Sequence, residues 1–177
     1  MKSKTKSMLY ISLGATFIAL SSWITLPFPI PFTMQTFAIF FLLKVFGGRI
    51  GGLSVLFHIS MGLIGLPVFS GFRGGVSELV SPTGGYIIGF AVTGALYFAL
   101  YSLLNKKRTL DMLFPYICLT LCYGVGTAWY MNYISAEGEI GLVSALSVCV
   151  LPYIVPDVIK IFLATLVAKK LKRHIKG

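Results

Sequence analysis

Asp157 and Lys160 place a carboxylate and an ammonium inside a segment that is otherwise apolar. Residues three apart lie on one face of a helix, so these two side chains can pair with each other. A charged side chain at the centre of a membrane helix costs roughly 2.5 to 3.5 kcal/mol on an insertion scale. Two charges kept at that cost indicate either a polar ligand site or a structural ion pair between helices.

The composition identifies a polytopic membrane protein. Hydrophobic residues make up 56% of the 177 residues and charged residues only 11%, whereas soluble domains carry about 25% charged residues. The net charge of +10 is therefore expected in loops and tails, and we expect no nucleic-acid partner. The first apolar run is longer than the core of a signal peptide, so it is expected to be the first membrane helix.

Six apolar segments predict an all-α bundle of six transmembrane helices, in one membrane domain that covers residues 1–177. The expected bounds are 8–26, 33–46, 50–66, 86–104, 113–133 and 142–168. Three prolines between residues 27 and 31 should force an extended connector after the first helix. Paired glycines at 47/48 and 51/52 predict a tight hairpin between the second and third helices. Pro152 and Pro156 are expected to break or kink the last segment.

The distribution of basic residues predicts the orientation. With the N-terminus in the cytoplasm, all of the 15 lysines and arginines except Arg73 and Lys160 fall on the cytoplasmic side, as the positive-inside rule requires. Both termini are then cytoplasmic. Three of the five acidic residues, Glu78, Glu137 and Glu139, fall outside.

Residues 67–82 form the longest irregular stretch between apolar segments, and we expect an ordered extracellular lid. Loops of this length are usually functional or disordered, and six apolar residues, which should be buried, argue against disorder; they are Val68, Phe69, Phe72, Val76, Leu79 and Val80. The lid carries Arg73 above the helix of Asp157 and Lys160. A cavity with these charges suits a small amphipathic solute that has hydrogen-bond donors at one end and an acid at the other.

Several side chains have two open interpretations. Ala15 and Ala19 put small side chains on one helical face, which can pack inside the protein or dock on a partner subunit. His58 is either a hydrogen-bonded, packed histidine or part of a proton relay. Trp129 is either a residue of the interfacial aromatic belt or a wall against which a ligand stacks.

Enzymatic chemistry has no support in the sequence. Cys118, Cys122 and Cys149 are expected to be free, buried thiols, and no nearby residues complete a metal site. A nucleophile beside a histidine, a zinc-protease motif and paired carboxylates for magnesium are all missing, so an intramembrane enzyme is disfavoured. The sequence carries no nucleotide-binding motif either, so active transport would need ATP hydrolysis by partner proteins. We expect no cofactor.

Motifs along the whole chain point to a family. In order, they are Pro29-Ile30-Pro31-Phe32-Thr33-Met34-Gln35-Thr36-Phe37, Gly65-Leu66-Pro67-Val68-Phe69, Gly74-Gly75, Ser81-Pro82-Thr83-Gly84-Gly85-Tyr86, Gly89-Phe90 and Pro156-Asp157-x-x-Lys160. Together they resemble the BioY family, the biotin-specific substrate-binding (S) components of energy-coupling factor (ECF) transporters. The resemblance implies a six-helix protein of the cell membrane that binds biotin from outside. It also implies association with a transmembrane coupling protein and two cytoplasmic ATPases.

The resemblance also implies roles for individual residues. Ala15 and Ala19 match the Ala-x-x-x-Ala pattern that docks the coupling protein. Asp157 is expected to accept from the ureido N–H groups of biotin, and Lys160 and Arg73 to hold the carboxylate or the ureido oxygen, with the assignment of each cation left open. Gln35, Thr83 and Tyr86 are further candidates for ligand contact, although each can equally cap or pack. The alternatives are an S component for a different vitamin and a membrane packing or assembly subunit without a ligand.

Overall fold

The fold in the computed structural model is almost entirely helical, and the model describes residues 2–28, 30–135 and 141–176. Seven helices are present in this part of the chain, joined near the N-terminus by a two-stranded antiparallel ribbon. The helices are α1 (Lys2–Trp23), α2 (Gln35–Leu63), α3 (Gly84–Ala99), α4 (Tyr101–Lys106), α5 (Arg108–Ile134), α6 (Leu142–Cys149) and α7 (Leu151–Lys176), and the strands are β1 (Thr25–Leu26) and β2 (Phe32–Thr33). The predicted all-α class is confirmed.

Within the described residues, three helical stretches are long and apolar enough to cross a membrane by length and composition, of which the first is divided at Gly47: Gln35–Leu63, Thr109–Ile134 and Leu151–Arg173. The helix Gly84–Ala99 is apolar but shorter. Two of the predicted segments are divided in the structure. The segment expected at 86–104 is interrupted at Leu100, between α3 and α4, and α5 begins at Arg108, before the expected residue 113.

Helix α2 folds back on itself at Gly47, where the glycine pair predicts a turn. Gly47 has φ 76° and ψ 175°, a conformation open to glycine because it has no Cβ. Its two arms, 35–46 and 48–63, run antiparallel: the Gln35 side chain lies 3.3 Å from His58, and a Cβ on Gly51 would lie 2.8 Å from the Leu42 carbonyl oxygen. The break is confined to one residue, and both arms end earlier or begin later than predicted: the first starts at Gln35 instead of residue 33, and the second ends at Leu63 instead of residue 66.

The last predicted segment, 142–168, is two helices in the structure, and the position of the break differs from the prediction. The chain leaves helical geometry at Val150, with φ −126° and ψ −55°, ahead of both prolines. Pro152 lies in the first turn of α7, where a missing N–H breaks no helical bond. Pro156 lies inside α7 and leaves the Pro152 carbonyl without its usual helical donor. Both charged residues of this segment therefore lie in the first three turns of a continuous helix.

The predicted lid is ordered and attached to three helices. The indole of Trp23, at the end of α1, donates to the Pro67 carbonyl at 2.9 Å. The indole of Trp129 on α5 donates to the Ser81 carbonyl at 3.0 Å. The backbone N–H of Gly75 donates to the Gly62 carbonyl of α2 at 2.7 Å. For Trp129, this bond gives an anchoring role that neither sequence interpretation included.

The apolar side chains of the lid are only partly buried, which corrects the sequence expectation. Val68 and Phe69 are buried, whereas Phe72, Val76 and Val80 are each more than 60% exposed. Phe72 nevertheless stacks on Trp23, with 4.8 Å between the ring centroids. The lid therefore buries Val68 and Phe69, packs Leu79 partly against the core, and presents Phe72, Val76 and Val80 outward.

Small residues allow the helices to pack closely. A side chain at Gly48 would collide with the backbone oxygen of Tyr97 on α3, and one at Gly14 on α1 would lie 2.5 Å from Ser54 Oγ on α2. The three cysteines, Cys118, Cys122 and Cys149, are free and buried, as the sequence predicts. The close approaches at Gly14 and Gly48 bring α1 and α3 against α2, and α7 also packs against α2.

Replacing Gly48 with alanine should destabilise the protein, because the new methyl group overlaps backbone and cannot be relieved by a rotamer change. Overpacking of this kind costs about 1–3 kcal/mol. Gly124→Ala is the matched control: no heavy atom lies within 4 Å of a Cβ there, and alanine in a helix gains about 0.5–1 kcal/mol over glycine. Thermal unfolding in one detergent should lower the Tm of the first variant only; equal Tm values would contradict the close approach.

Candidate binding site

A cavity of about 820 Å³, including its open mouth, lies between α2, α3, α5, α7, strand β2 and the lid. Its lining includes all six side chains singled out as ligand contacts: Gln35, Arg73, Thr83, Tyr86, Asp157 and Lys160. From Gln35 to Lys160 these residues span more than 120 positions of the sequence. Only the family motifs connected them in the sequence, and the fold brings them together around one cavity. Its lining combines apolar and aromatic side chains with a few charged and polar ones, as in small-molecule sites.

Asp157 and Lys160 form an ion pair at the deep part of this cavity. The Lys160 Nζ lies 2.8 Å from Asp157 Oδ1, and the two side chains are only 7% and 9% exposed. They lie on adjacent turns of α7, where the i, i+3 spacing lets them meet. The pair is therefore formed within one helix and does not join two helices.

Strand β2 supplies the other contacts of the ammonium. Lys160 Nζ donates to the Thr33 carbonyl at 2.7 Å and lies 3.6 Å from the centroid of the Phe32 ring. A cation near the face of an aromatic ring is attracted by the negative charge density of that face. The ammonium group of Lys160 thus contacts a carboxylate, a carbonyl and an aromatic ring. These contacts compensate for the removal of its charge from water.

Tyr123 on α5 completes the pairing of Asp157. Its hydroxyl donates to Asp157 Oδ2 at 2.8 Å, so each carboxylate oxygen has one donor. Sequence reasoning missed this residue as a site contact. A tyrosine hydroxyl in an apolar helix needs a hydrogen-bond partner when buried, but that rule identifies no particular partner before the fold is known.

Aromatic rings form much of the cavity wall. The hydroxyl of Tyr86 donates to the Cys149 carbonyl at 3.0 Å, and that of Tyr153 donates to the Ile30 carbonyl at 2.5 Å. Because both hydroxyls are engaged with backbone, we expect these residues to meet a ligand through their rings. Phe69 and Phe90 add further apolar surface, so the wall suits a ligand whose middle is hydrocarbon.

Gln35 is held by His58, which gives one of the two ring nitrogens of this buried histidine a partner. The Gln35 Nε2 lies 3.3 Å from His58 Nε2, and the histidine is fully buried with its ring at 5.8 Å from the Phe69 ring, edge to face. In the tautomer that carries its proton on Nδ1, His58 accepts from the amide and leaves Gln35 Oε1 as a free acceptor at the cavity. These contacts favour a packing and positioning role for His58.

Arg73 and Thr83 lie at the mouth. Arg73 is exposed, and within the described residues its guanidinium has neither a hydrogen bond nor an ion pair, although Glu78 lines the same cavity. Thr83 lies just before α3, but its hydroxyl shares a 3.0 Å hydrogen bond with Ser81 and does not cap the helix. The charged side chains at the deep end of the cavity are thus all paired. Arg73 at the mouth has no partner among the described residues.

Ala15 and Ala19 lie in the core, away from the cavity. They are 0% and 5% exposed on the face of α1 that packs against α2. This burial favours the interpretation that the two small side chains pack within the protein. A docking role for them stays a prediction.

Comparisons with known proteins agree with the motifs. The sequence profile of the BioY family matches residues 1–177. The biotin transporter BioY of Thermotoga maritima is 35% identical over 88% of this chain and 89% of its own. The probable biotin transporter BioY of Pyrococcus horikoshii is 36% identical over 92% and 95%. A 2.1 Å crystal structure of the S-component for biotin from an ECF-type ABC transporter superposes with a TM-score of 0.82, at 24% identity, over 97% of this chain and 93% of that one.

Breaking the ion pair from one side should cost more stability than removing it altogether. Asp157→Asn leaves a buried ammonium and Lys160→Met a buried carboxylate, and an uncompensated buried charge costs about 3–5 kcal/mol. The double variant leaves no charge and should unfold at a higher temperature than either single variant. Thermal unfolding of all four proteins in the same detergent measures this coupling; additive losses would show that the two side chains do not interact.

Proposed function

Because the chain belongs to the BioY family, we propose that it is the biotin-binding S subunit of an ECF transporter, with its ligand site in the cavity beside α7. The observation that carries this proposal is the arrangement of one cavity with a paired carboxylate at its deep end, aromatic walls and an unpaired guanidinium at its mouth. The protein is a multi-pass protein of the cell membrane. It captures biotin from outside for delivery inward.

The chemistry of biotin matches the order of groups along the cavity. Its ureido ring has two N–H donors and one carbonyl acceptor, its middle is apolar with a thioether, and its valerate ends in a carboxylate. An ionised carboxylate has about four acceptor sites. Asp157 can therefore accept from a ureido N–H while it keeps its bonds to Lys160 and Tyr123. Gln35 Oε1 offers a second acceptor at the same end.

The pairing of the two cations suggests which one receives the carboxylate. Lys160 already has three partners, so it has no N–H left for a valerate group without losing a contact. Arg73 is exposed and offers a fork of donors that fits a carboxylate in bidentate geometry. We therefore place the ureido ring against α7 and the valerate at Arg73.

Orientation in the membrane is part of the proposal. Six spans, with the two arms of α2 as the second and third, leave the lid and the cavity mouth outside and both termini in the cytoplasm. The positions of Lys106 and Lys107 support this, since α3 begins beside the lid and the chain reaches these lysines at the end of α4. Glu137 and Glu139, which the sequence predicts to be outside, lie beyond the described residues.

Energy for uptake must come from other proteins. We propose that a transmembrane coupling protein and two cytoplasmic ATPases associate with the chain, as in other ECF transporters. Helix α1 offers an outward face for such a contact, with Leu13, Thr16 and Leu20 exposed. The resemblance gives the docking role to Ala15 and Ala19. Because both side chains are buried, the exposed face of α1 would have to contribute to the contact.

The open cavity argues against the two alternatives in different ways. A ligand-free assembly subunit gives no reason for charged, polar and aromatic side chains to converge on one open cavity, as they do here. A different vitamin would have to satisfy both Asp157 and Arg73. Competition of bound biotin by thiamine or riboflavin would identify that case.

Substituting Arg73 should change the affinity for the carboxylate end of the ligand and leave the contacts of the ureido end unchanged. The purified protein is expected to bind biotin without nucleotide, and Arg73→Gln should weaken biotin by about tenfold or more, because a charge-assisted hydrogen bond is worth about 1.5–3 kcal/mol. The same substitution should leave biotinamide, which has no carboxylate, almost unaffected. Asp157→Asn should weaken both ligands. Isothermal titration in detergent measures all of these affinities.

Lys107→Gln is the control for this titration, because it removes one exposed cation at the end of α4 far from the cavity. It should bind both ligands as the parent does. If Arg73→Gln weakens biotin and biotinamide equally, the valerate does not lie at Arg73. If none of the substitutions affects biotin, the site is elsewhere.

Cysteine accessibility tests the orientation. The three native cysteines are buried, so a single exposed cysteine can be followed against a low background. Ser77→Cys in the lid should react with a membrane-impermeant maleimide on intact cells. Lys107→Cys should react only after the cells are opened, and the reverse pattern would invert the proposed topology.

A further inference from the structure

A second recess, of about 1010 Å³ including its mouth, lies at the other end of α7 from the ligand cavity. It is lined by Lys44 of α2, Asp111 and Met112 of α5, and a face of α7; that face carries Thr165, Ala168, Lys169, Lys172 and Arg173. Twelve residues separate Asp157 from Lys169, which is about 18 Å along a helix. None of these side chains contributes to the biotin site.

The recess has an excess of positive charge. It contains four cations, Lys44, Lys169, Lys172 and Arg173, and one carboxylate, Asp111. Asp111 is already occupied, because Lys44 Nζ lies 2.8 Å from its Oδ1 and also donates to its backbone carbonyl. Among the described residues, the three cations of α7 therefore face the recess with no counter-charge of their own, and they repel one another until an anion enters.

Helix geometry explains why these cations converge. Residues 165, 168, 169 and 172 follow the i, i+3, i+4, i+7 spacing of a single helical face, and residue 173 borders it. Basic residues at a helix C-terminus in a membrane protein are commonly a solvated cytoplasmic flank. This group differs from such a flank, because it shares a recess with a fourth cation whose side chain is only 6% exposed.

Apolar side chains adjoin the basic group. Met112 lines the recess and is 51% exposed, Leu113 beside it is 54% exposed, and Leu166 on α7 is 47% exposed. A free phosphate ion would use the cations and leave these side chains untouched. A molecule with a phosphate and hydrocarbon chains would use both, because basic pockets between membrane helices suit phospholipid headgroups.

We propose that this recess binds the phosphate group of an anionic phospholipid, with Lys169, Lys172 and Arg173 as its contacts. Lys44 is held by Asp111 in an ion pair and lines the same recess. The acyl chains then lie along the exposed apolar side chains of α5 and α7. The proposal concerns a structural lipid and is independent of the biotin site.

The test removes the three contacting charges and compares lipids with the same acyl chains. Lys169→Gln/Lys172→Gln/Arg173→Gln should bind phosphatidylglycerol about tenfold or more weakly, since each nearby cation adds to attraction for an anionic headgroup. Phosphatidylcholine, which has no net charge, should bind equally to both proteins. Native mass spectrometry of the full chain in neutral detergent counts the bound lipids during a titration.

A control variant with the same net charge separates a site from general attraction. Lys4→Gln/Lys6→Gln/Lys107→Gln also removes three exposed cations, but from α1 and the end of α4. It should keep the phosphatidylglycerol affinity of the parent. Loss of affinity in both variants, or in neither, would overturn the proposal.

Two further measurements identify the occupant and distinguish loss of the site from misfolding of the variant. Millimolar inorganic phosphate should fail to displace phosphatidylglycerol; displacement would assign the site to a free anion and overturn the lipid. The charge-conserving variant Lys169→Arg/Lys172→Arg/Arg173→Lys should bind phosphatidylglycerol as the parent does. If the glutamine variant aggregates, Lys172→Gln alone should still show weaker binding, and unchanged binding would count against the site.

Discussion

The structure depends on the cost of keeping Asp157 and Lys160 out of water. Neither charge could remain there unless its hydrogen-bonding groups found partners, and those partners come from three separate parts of the chain. The carboxylate receives the hydroxyl of Tyr123 from α5, and the ammonium donates to the Thr33 carbonyl of strand β2. The short ribbon, α5 and α7 are thus held together by one polar network.

This network also determines what the cavity can offer a ligand. Because its polar groups are paired before any ligand arrives, little rearrangement is needed at the deep end, and the carboxylate keeps a fixed direction. Arg73 at the mouth is in the opposite situation, since its guanidinium has no partner among the described residues. A ligand in the proposed site would therefore meet a polar group already held in place at the deep end and an unpaired cation at the mouth, with aromatic walls between them.

The sequence was sufficient for the helical class and for the turn at Gly47, and it singled out six side chains that line one cavity; their contact with a ligand stays a prediction. Composition determines class, paired glycines permit a sharp turn, and charges in apolar segments indicate a site. Tyr123 was missed because a lone tyrosine in a helix does not reveal its partner. The break at Val150 was also missed, because proline in a first helical turn is compatible with helix and so does not by itself mark where the preceding helix ends.

The exposure of Phe72 could not be predicted from its apolar character, because its partner, Trp23, lies at the end of a distant helix. That tryptophan both donates to the Pro67 carbonyl and stacks on Phe72, so the end of α1 contacts the lid at two points. Any displacement of α1 must be shared by the lid or must break both contacts. The helix that lies farthest from the Asp157 pair in the sequence is therefore mechanically coupled to the lid at the mouth of the cavity.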